Sequence, residues 1–196
     1  QGASLAADAY YRTSGNIGVV IATSGPGILN TLQGMACSYY DSIPALYISG
    51  APVTKQIKKN KKLRQLGFQE MEVADLVRSI TKYSTRITNT KDINYEIEKC
   101  IHIAQDGRPG PVLIDLPDDI QRMDLKEKNQ KKYKIKKIKP KKINLRNTKD
   151  LIKKSKRPII IVGGGVKISN SQNKLFELIN KYKLPYALTW ATADIF

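Results

Sequence analysis

Apolar residues fall into two alternating periods along this chain. Ala3, Ala6, Ala7 and Tyr10 are spaced to share one face of a helix, and Ser14-Gly15 closes it, because glycine tolerates the left-handed conformation at a helix C-terminus. Gly18-Val19-Val20-Ile21-Ala22-Thr23 is a short β-branched run that reads as a buried strand, ending in Ser24-Gly25-Pro26-Gly27, a loop that turns sharply. Helical spacing returns in Ile28, Leu29, Leu32, Ala36, Tyr39 and Tyr40, and Pro44-Ala45-Leu46-Tyr47-Ile48-Ser49 supplies a second strand. Strand, helix and strand in this order make a unit of a parallel α/β fold.

The order then repeats. A helix is expected around Glu72 to Ile80, a short strand near Tyr83 to Ile87, and a helix carrying Ile93, Ile97, Ile101 and Ala104 that stops at Asp106-Gly107. Pro111-Val112-Leu113-Ile114-Asp115-Leu116 is another buried strand, and the first domain is expected to end near residue 120, after Pro117-Asp118-Asp119. Residues 121–146 read as a linker with little to bury. From residue 147 a second α/β unit begins: a helix near Asp150 to Lys154, a strand Pro158 to Val162, Gly163-Gly164-Gly165, a helix bearing Leu175, Leu178, Ile179 and Tyr182, and a strand Pro185 to Thr189.

Composition narrows the function classes. With 41% hydrophobic and 26% charged residues the chain is globular in balance, and no run approaches the roughly 18 to 20 apolar residues of a membrane span. The first residues form neither a basic nor an apolar leader region, so a cytoplasmic location is expected. Two cysteines, Cys37 and Cys100, and a single histidine, His102, argue against a zinc site or a Ser-His-Asp triad. The net charge of +17 suggests nucleic acid until its distribution is read: residues 121–157 alone carry +14, and Tyr133 is the one aromatic among those lysines. A basic nucleic-acid-binding module is therefore the reading from another class, without the interleaved aromatics it needs. The chain begins at Gln1 without a methionine and stops just after a strand, and is expected to be a piece of a longer protein.

Three turns carry candidate chemistry. Ser24-Gly25-Pro26-Gly27 passes a strand to a helix, where open α/β sheets bind ligands and backbone amides favour anions. It is neither a Walker A loop nor the dinucleotide fingerprint, because no Gly-Lys-Ser/Thr follows and Asn30 stands at the third glycine position; ligand contact and a plain tight turn both fit. Gly163-Gly164-Gly165 admits a ligand to a bare backbone or simply turns the chain. Gly107-Arg108-Pro109-Gly110-Pro111 is stiff and presents Arg108, either to a phosphate or carboxylate or to the end of the preceding helix. The run Lys55 to Arg64 holds six basic residues and no acid, and reads as a solvated loop.

Taken together these segments resemble the thiamine diphosphate-dependent enzymes of the acetolactate synthase type. Gln1-Gly2-Ala3 with Ala6-Ala7-Asp8-Ala9-Tyr10 is similar to the family's Glu-Gln-Gly-Ala helix, and residues 19–27 with Asn30 are similar to its thiamine turn. Asp41-Ser42-Ile43-Pro44, Gly67-Phe68-Gln69-Glu70, Ile80-Thr81-Lys82 and residues 107–117 follow in family order, so the resemblance spans nearly the whole chain. It implies an α/β, parallel-sheet pyrimidine-binding domain in part (1–120), a basic linker (121–146) and the start of a Rossmann-like central domain (147–196).

By the same resemblance the activity is decarboxylative condensation of pyruvate or another 2-keto acid, a cytoplasmic step of branched-chain amino acid biosynthesis. Thiamine diphosphate, Mg2+ and flavin adenine dinucleotide are the implied cofactors, and a homodimer or homotetramer with the active site at the subunit interface, together with a regulatory subunit, the implied partners. Gly25, Pro26, Gly27 and Asn30 would flank the pyrimidine, and Phe68 and Gln69 would face the reacting carbon from across the dimer interface as catalytic residues. Arg108, Gly163, Gly164, Gly165, Thr189 and Trp190 would hold the flavin. The family's catalytic glutamate belongs immediately before Gln1, and the magnesium ligands belong to a domain whose motifs do not occur here, so the 196 residues alone are expected to be inactive. Two departures bear on substrate and flavin. The Lys58 to Arg64 loop is longer and more basic than in the biosynthetic synthases, and Thr189-Trp190-Ala191-Thr192 replaces their Thr-Leu run. A thiamine-dependent decarboxylase or lyase of a surface-sugar pathway is the alternative enzyme.

Overall fold

The computed structural model of the chain describes residues 1–58, 62–125, 130–135 and 143–195. Parts of the basic loop (59–61) and of the expected linker (126–129 and 136–142), with Phe196, lie outside the described residues. Two compact units are formed, Gln1–Lys136 and Lys137–Phe196.

The first unit runs α1 (Gly2–Ser14), β1 (Gly18–Ala22), α2 (Pro26–Leu29), α3 (Leu32–Asp41), β2 (Ala45–Ala51), α4 (Val73–Leu76), β3 (Tyr83–Arg86), α5 (Ile93–Gln105), β4 (Val112–Pro117) and α6 (Asp118–Arg122). Its four strands pair in parallel in the order β1-β2-β4-β3, the parallel α/β sheet expected from the alternation of periods. Successive side chains of a strand point to opposite faces, and on the central strands β2 and β4 both faces are covered. Tyr47 and Leu113 join Ala7, Val20, Ile28, Met35, Val73 and Val77 in one core, while Leu46, Val112 and Ile114 join Ile87, Cys100, Ala104 and Ile120 in the other. Both cysteines are free, and burial pushes the Cys100 thiol up to about 12.

Four expectations are corrected by tertiary contacts. On α1 the buried face is Ser4, Ala7 and Asp8 rather than Ala3, Ala6 and Tyr10, because Asp8 accepts from Ser38 Oγ (2.8 Å) and Arg12 Nε (2.5 Å), and Gly34 lets α3 close on Ser4. The single helix expected over residues 28–40 is interrupted. Thr31 Oγ1 donates to the Ile28 carbonyl (2.7 Å) and the Asn30 amide to the Pro26 carbonyl (3.0 Å), side-chain bonds that compete with helical continuation. The helix expected over 72–80 is one α-turn followed by a 3-10 turn, Arg78–Ile80. Finally, β1 lies at the sheet edge and is buried on one face only, leaving Val19 54% and Ile21 76% exposed.

Within the stretch read as linker, residues 130–135 run along α5. Lys131 N donates to the Lys91 carbonyl (3.0 Å) and its ammonium pairs with Asp92 (2.6 Å). Tyr133 N donates to Glu98 (2.8 Å), and its ring meets Tyr95 edge-on and tilts against His102, with centroids 5.5 and 5.6 Å away.

The second unit contains α7 (Arg146–Lys154), β5 (Ile160–Val162), α8 (Gly165–Ile168), α9 (Gln172–Tyr182) and β6 (Tyr186–Leu188), with β5 and β6 parallel. Among its described residues Val162, Ile179 and Thr192 are buried, and Thr192 Oγ1 donates to the Val162 carbonyl (2.8 Å), tying the segment after β6 to the end of β5.

Candidate functional site

At the C-terminal end of β1 the chain reverses through Ser24 to Gly27. Gly25 has φ 58° and ψ −115°, a conformation that a residue with a Cβ rarely adopts, and an ideal Cβ placed on it would meet the Gln69 carbonyl oxygen at 2.6 Å. The turn is closed by Ile28 N donating to the Thr23 carbonyl (3.0 Å) and by Asn30 donating to the Pro26 carbonyl. Pro26 and Asn30 are exposed, and Gly25 is buried beneath Gln69. The structure thus brings Gly25 and Gln69, two separately expected site residues, into contact within one chain. Asn30 spends its amide on the turn itself.

Phe68 and Gln69 sit on the loop that precedes α4. Phe68 is 82% exposed, and Gln69 is half-buried with φ 55°, in the left-handed region. Beneath them is Glu70, a buried carboxylate that accepts from the backbone amides of Lys58 (2.7 Å), Leu66 (2.5 Å) and Gly67 (3.2 Å). Burial alone raises the pKa of such a carboxyl, but the amides of Leu66, Lys58 and Gly67 outweigh it and hold Glu70 below the usual carboxylate range.

Following this loop in the chain, Arg86 forms an ion pair with a buried carboxylate. Arg86 at the end of β3 gives Nε to Asp115 (2.5 Å), Nη1 to Glu72 (3.1 Å) and Nη2 to the Met71 carbonyl (2.7 Å). Asp115, fully buried on β4, also accepts from Ser49 Oγ (2.6 Å) on β2. Burial pushes the Asp115 carboxyl up, against the opposing bonds from Ser49 and Arg86. Sequence reasoning passed over Glu70, Arg86 and Asp115. Asp115 did leave a signal, since an acid inside the apolar run 112–116 needs a buried partner.

The remaining expected residues lie in two places. In the first unit Arg108 Nε donates to Ser42 Oγ (2.7 Å) and Nη2 to the Tyr40 carbonyl (3.2 Å), beside a cleft of about 330 Å³ lined by Tyr39, Tyr40, Lys82, Arg108 and Pro109. In the second unit Gly163, Gly164 and Gly165 follow β5, and Thr189 and Trp190 follow β6. Ideal Cβ atoms on Gly163 and Gly165 meet nothing within 4 Å, whereas one on Gly164 would lie 3.3 Å from Ala191 Cβ. Thr189 N donates to the Val162 carbonyl (3.0 Å), and Trp190 is 99% exposed. The second unit therefore gathers its five expected residues at the C-terminal ends of two parallel strands. Such strand ends are where α/β folds bind ligands.

Comparison with known proteins adds independent findings. Residues 1–76 match the family described as "Thiamine pyrophosphate enzyme, N-terminal TPP binding domain", and residues 145–196 match "Thiamine pyrophosphate enzyme, central domain". The chain is 35% identical over 193 residues to an acetolactate synthase large subunit of Lactococcus lactis subsp. lactis (strain IL1403), covering 96% of this chain and 32% of that one. It is 38% identical over 199 residues to the acetolactate synthase large subunit of Buchnera aphidicola subsp. Schizaphis graminum (strain Sg), covering 94% and 32%. A probable acetolactate synthase large subunit of Methanococcus aeolicus is 37% identical over 196 residues, with 96% and 32% covered. The chain spans about a third of the length of these relatives.

Proposed function

We propose, from the premise that residues 1–76 and 145–196 belong to the thiamine pyrophosphate enzymes, that this chain is part of a thiamine diphosphate-dependent carboligase of the acetolactate synthase type. Its reaction condenses 2-keto acids, pyruvate first among them, with loss of carbon dioxide. The observation that carries this reading is the contact between the Gly25 turn and the Gln69 backbone. Two expected site residues, 44 positions apart in sequence, form one surface.

Thiamine diphosphate, when bound, supplies a nucleophilic carbon that adds to the keto group and takes up the electron pair left by departing carbon dioxide. The chain's own residues orient and exclude. Gly25, Pro26 and Gly27 offer the pyrimidine a backbone edge with exposed Pro26 as its apolar contact, and Asn30 keeps that edge in shape. Gln69 reaches the incoming keto acid from beside the turn, and exposed Phe68 covers the reacting centre from water. Magnesium is assigned to residues of the longer protein.

In the second unit Gly163, Gly164, Gly165, Thr189 and Trp190 are assigned to flavin adenine dinucleotide, and in the first Arg108 is assigned as an anion-binding residue of the kind that cofactor needs. The donor chemistry supports this. Arg108 commits Nε and Nη2 and keeps further guanidinium donors for an anion, and Gly163 and Gly165 leave open space where a side chain would stand. The domains follow as residues 1–120 for the pyrimidine-binding part and 147–196 for the start of the central domain. A homodimer or homotetramer, a regulatory subunit and a cytoplasmic site of action belong to the same proposal. No described helix is long and apolar enough to cross a membrane.

The test is acetolactate formation from pyruvate by the full-length protein, with and without thiamine diphosphate, Mg2+ and flavin. Cofactor-dependent acetolactate and a yellow protein are expected. Gly164→Val should purify without the yellow colour, because a valine's methyl groups fall where Ala191 Cβ already stands 3.3 Å from the first added carbon. Carbon dioxide release without acetolactate would move the protein to the decarboxylase and lyase class. Full activity of a colourless wild type would remove flavin from the assignment.

A further inference from the structure

A non-glycine residue with φ near 55°, in the left-handed region that side chains disfavour, is held there by its surroundings. For Gln69 those surroundings are fixed points on both sides. On one side the two oxygens of Glu70 gather the amides of Lys58, Leu66 and Gly67, so a carboxylate does for this loop what a strand partner would do elsewhere. Gly67 is seated against Pro52, where an ideal Cβ would come within 2.7 Å of the proline Cβ. On the other side Arg86, anchored by Asp115, holds the Met71 carbonyl and the Glu72 carboxylate. Gln69 is left two residues from Gly67 on one side and two from Met71 on the other, with its carbonyl over Gly25.

We propose that Glu70 is the positioning residue for Gln69. By holding the amides of Lys58, Leu66 and Gly67 it fixes the Gln69 backbone against the Ser24–Gly27 turn, and so sets the site geometry without touching cofactor or substrate. The proposal rests on the reading of this turn as the pyrimidine edge. The chemistry requires an acid at residue 70. A glutamine there offers one acceptor oxygen and an NH2 group, which faces an amide donor with another donor and releases at least one of the three amides.

The test uses the full-length protein with Glu70→Gln, Gln69→Ala and the double variant. Glu70→Gln should lower kcat by about 10- to 100-fold with KM for pyruvate little changed, as expected for misplacement of about 1 Å. In the Gln69→Ala background the same change should cost clearly less than in wild type, since the side chain that Glu70 positions is gone while the Gln69 backbone still meets the turn. Losses that multiply in the double variant would overturn the proposal. Amide exchange gives a readout independent of turnover. Glu70→Gln should speed exchange together in residues 58–67 and in 24–29, while acceleration confined to 58–67, with 24–29 as in wild type, would also overturn it. Glu70→Asp, which keeps the charge but is one methylene too short to span three amides, carries both readouts if the glutamine variant does not fold. A wild type that makes no acetolactate ends the functional reading, and the exchange experiment still decides the role of Glu70.

Discussion

Arg86→Leu should lower the unfolding free energy of the first unit by about 3–5 kcal/mol at neutral pH, the usual result of removing one partner of a buried pair. The residue left behind is Asp115, fully buried with Ser49 as its remaining donor, and Glu72 nearby as a second negative charge. The pH dependence follows from the direction of the Asp115 shift. Burial already raises this carboxyl in the folded chain, so the folded state binds its proton more tightly than the unfolded state, and this group's contribution falls as pH rises from the ordinary aspartate range through the folded value. Arg86→Leu removes the opposing influence and raises the folded value further. The difference between variant and wild type should therefore be largest near neutrality and shrink toward pH 4, where Asp115 is protonated in the variant. Urea unfolding at a series of pH values measures it, and a penalty that stays constant or grows toward acid would rule the account out.

Gly25→Ala should reduce acetolactate formation by the full-length protein by about 100-fold or more while costing only about 1–3 kcal/mol of stability. Two effects act at one atom. Alanine disfavours φ 58° with ψ −115°, and its Cβ at 2.6 Å from the Gln69 carbonyl forces the turn and the loop apart. Few contacts are lost in that separation, so the fold survives, but the two halves of the proposed site move relative to each other. Steady-state kinetics beside a thermal melt separates the two costs. Activity near wild type would show that the close approach of these segments is incidental.

The fold was legible where local chemistry and tertiary environment agree. β4 is an apolar run entered through Pro109 and Pro111, and α5 repeats its apolar residues at helical spacing, so both lie close to their expected limits. Reading failed where long-range contacts decide. Alanines on both sides of α1 left its buried face open, and the choice is made by Asp8 meeting Ser38 and by the bare backbone of Gly34 on α3. The break at Asn30-Thr31 is invisible to a periodicity that runs on through Leu32 and Ala36. In the site, the glycines and proline of residues 24–27 mark a turn on their own. Glu70 does not mark itself, because its role exists only once Lys58, Leu66 and Gly67 have presented their three amides to it.

The bare side of β1 bears on how the 196-residue polypeptide behaves as a colloid. Sheet edges are commonly guarded by a lysine, a proline or a bulge on the edge strand itself, and Gly18-Val19-Val20-Ile21-Ala22 carries no charge and no proline. The chain's charge lies elsewhere in the sequence. Of the +17 net charge only +3 lies outside residues 121–157, so repulsion between copies comes mainly from one lysine-rich stretch acting through solvent. That repulsion has a range of about 10 Å in 0.1 M salt and about 3 Å in 1 M. Dispersed chains in dilute buffer should therefore begin to scatter light as salt is added, the reverse of a protein held together by ion pairs. Ile21→Lys, which puts the charge on the edge itself, should keep them apart.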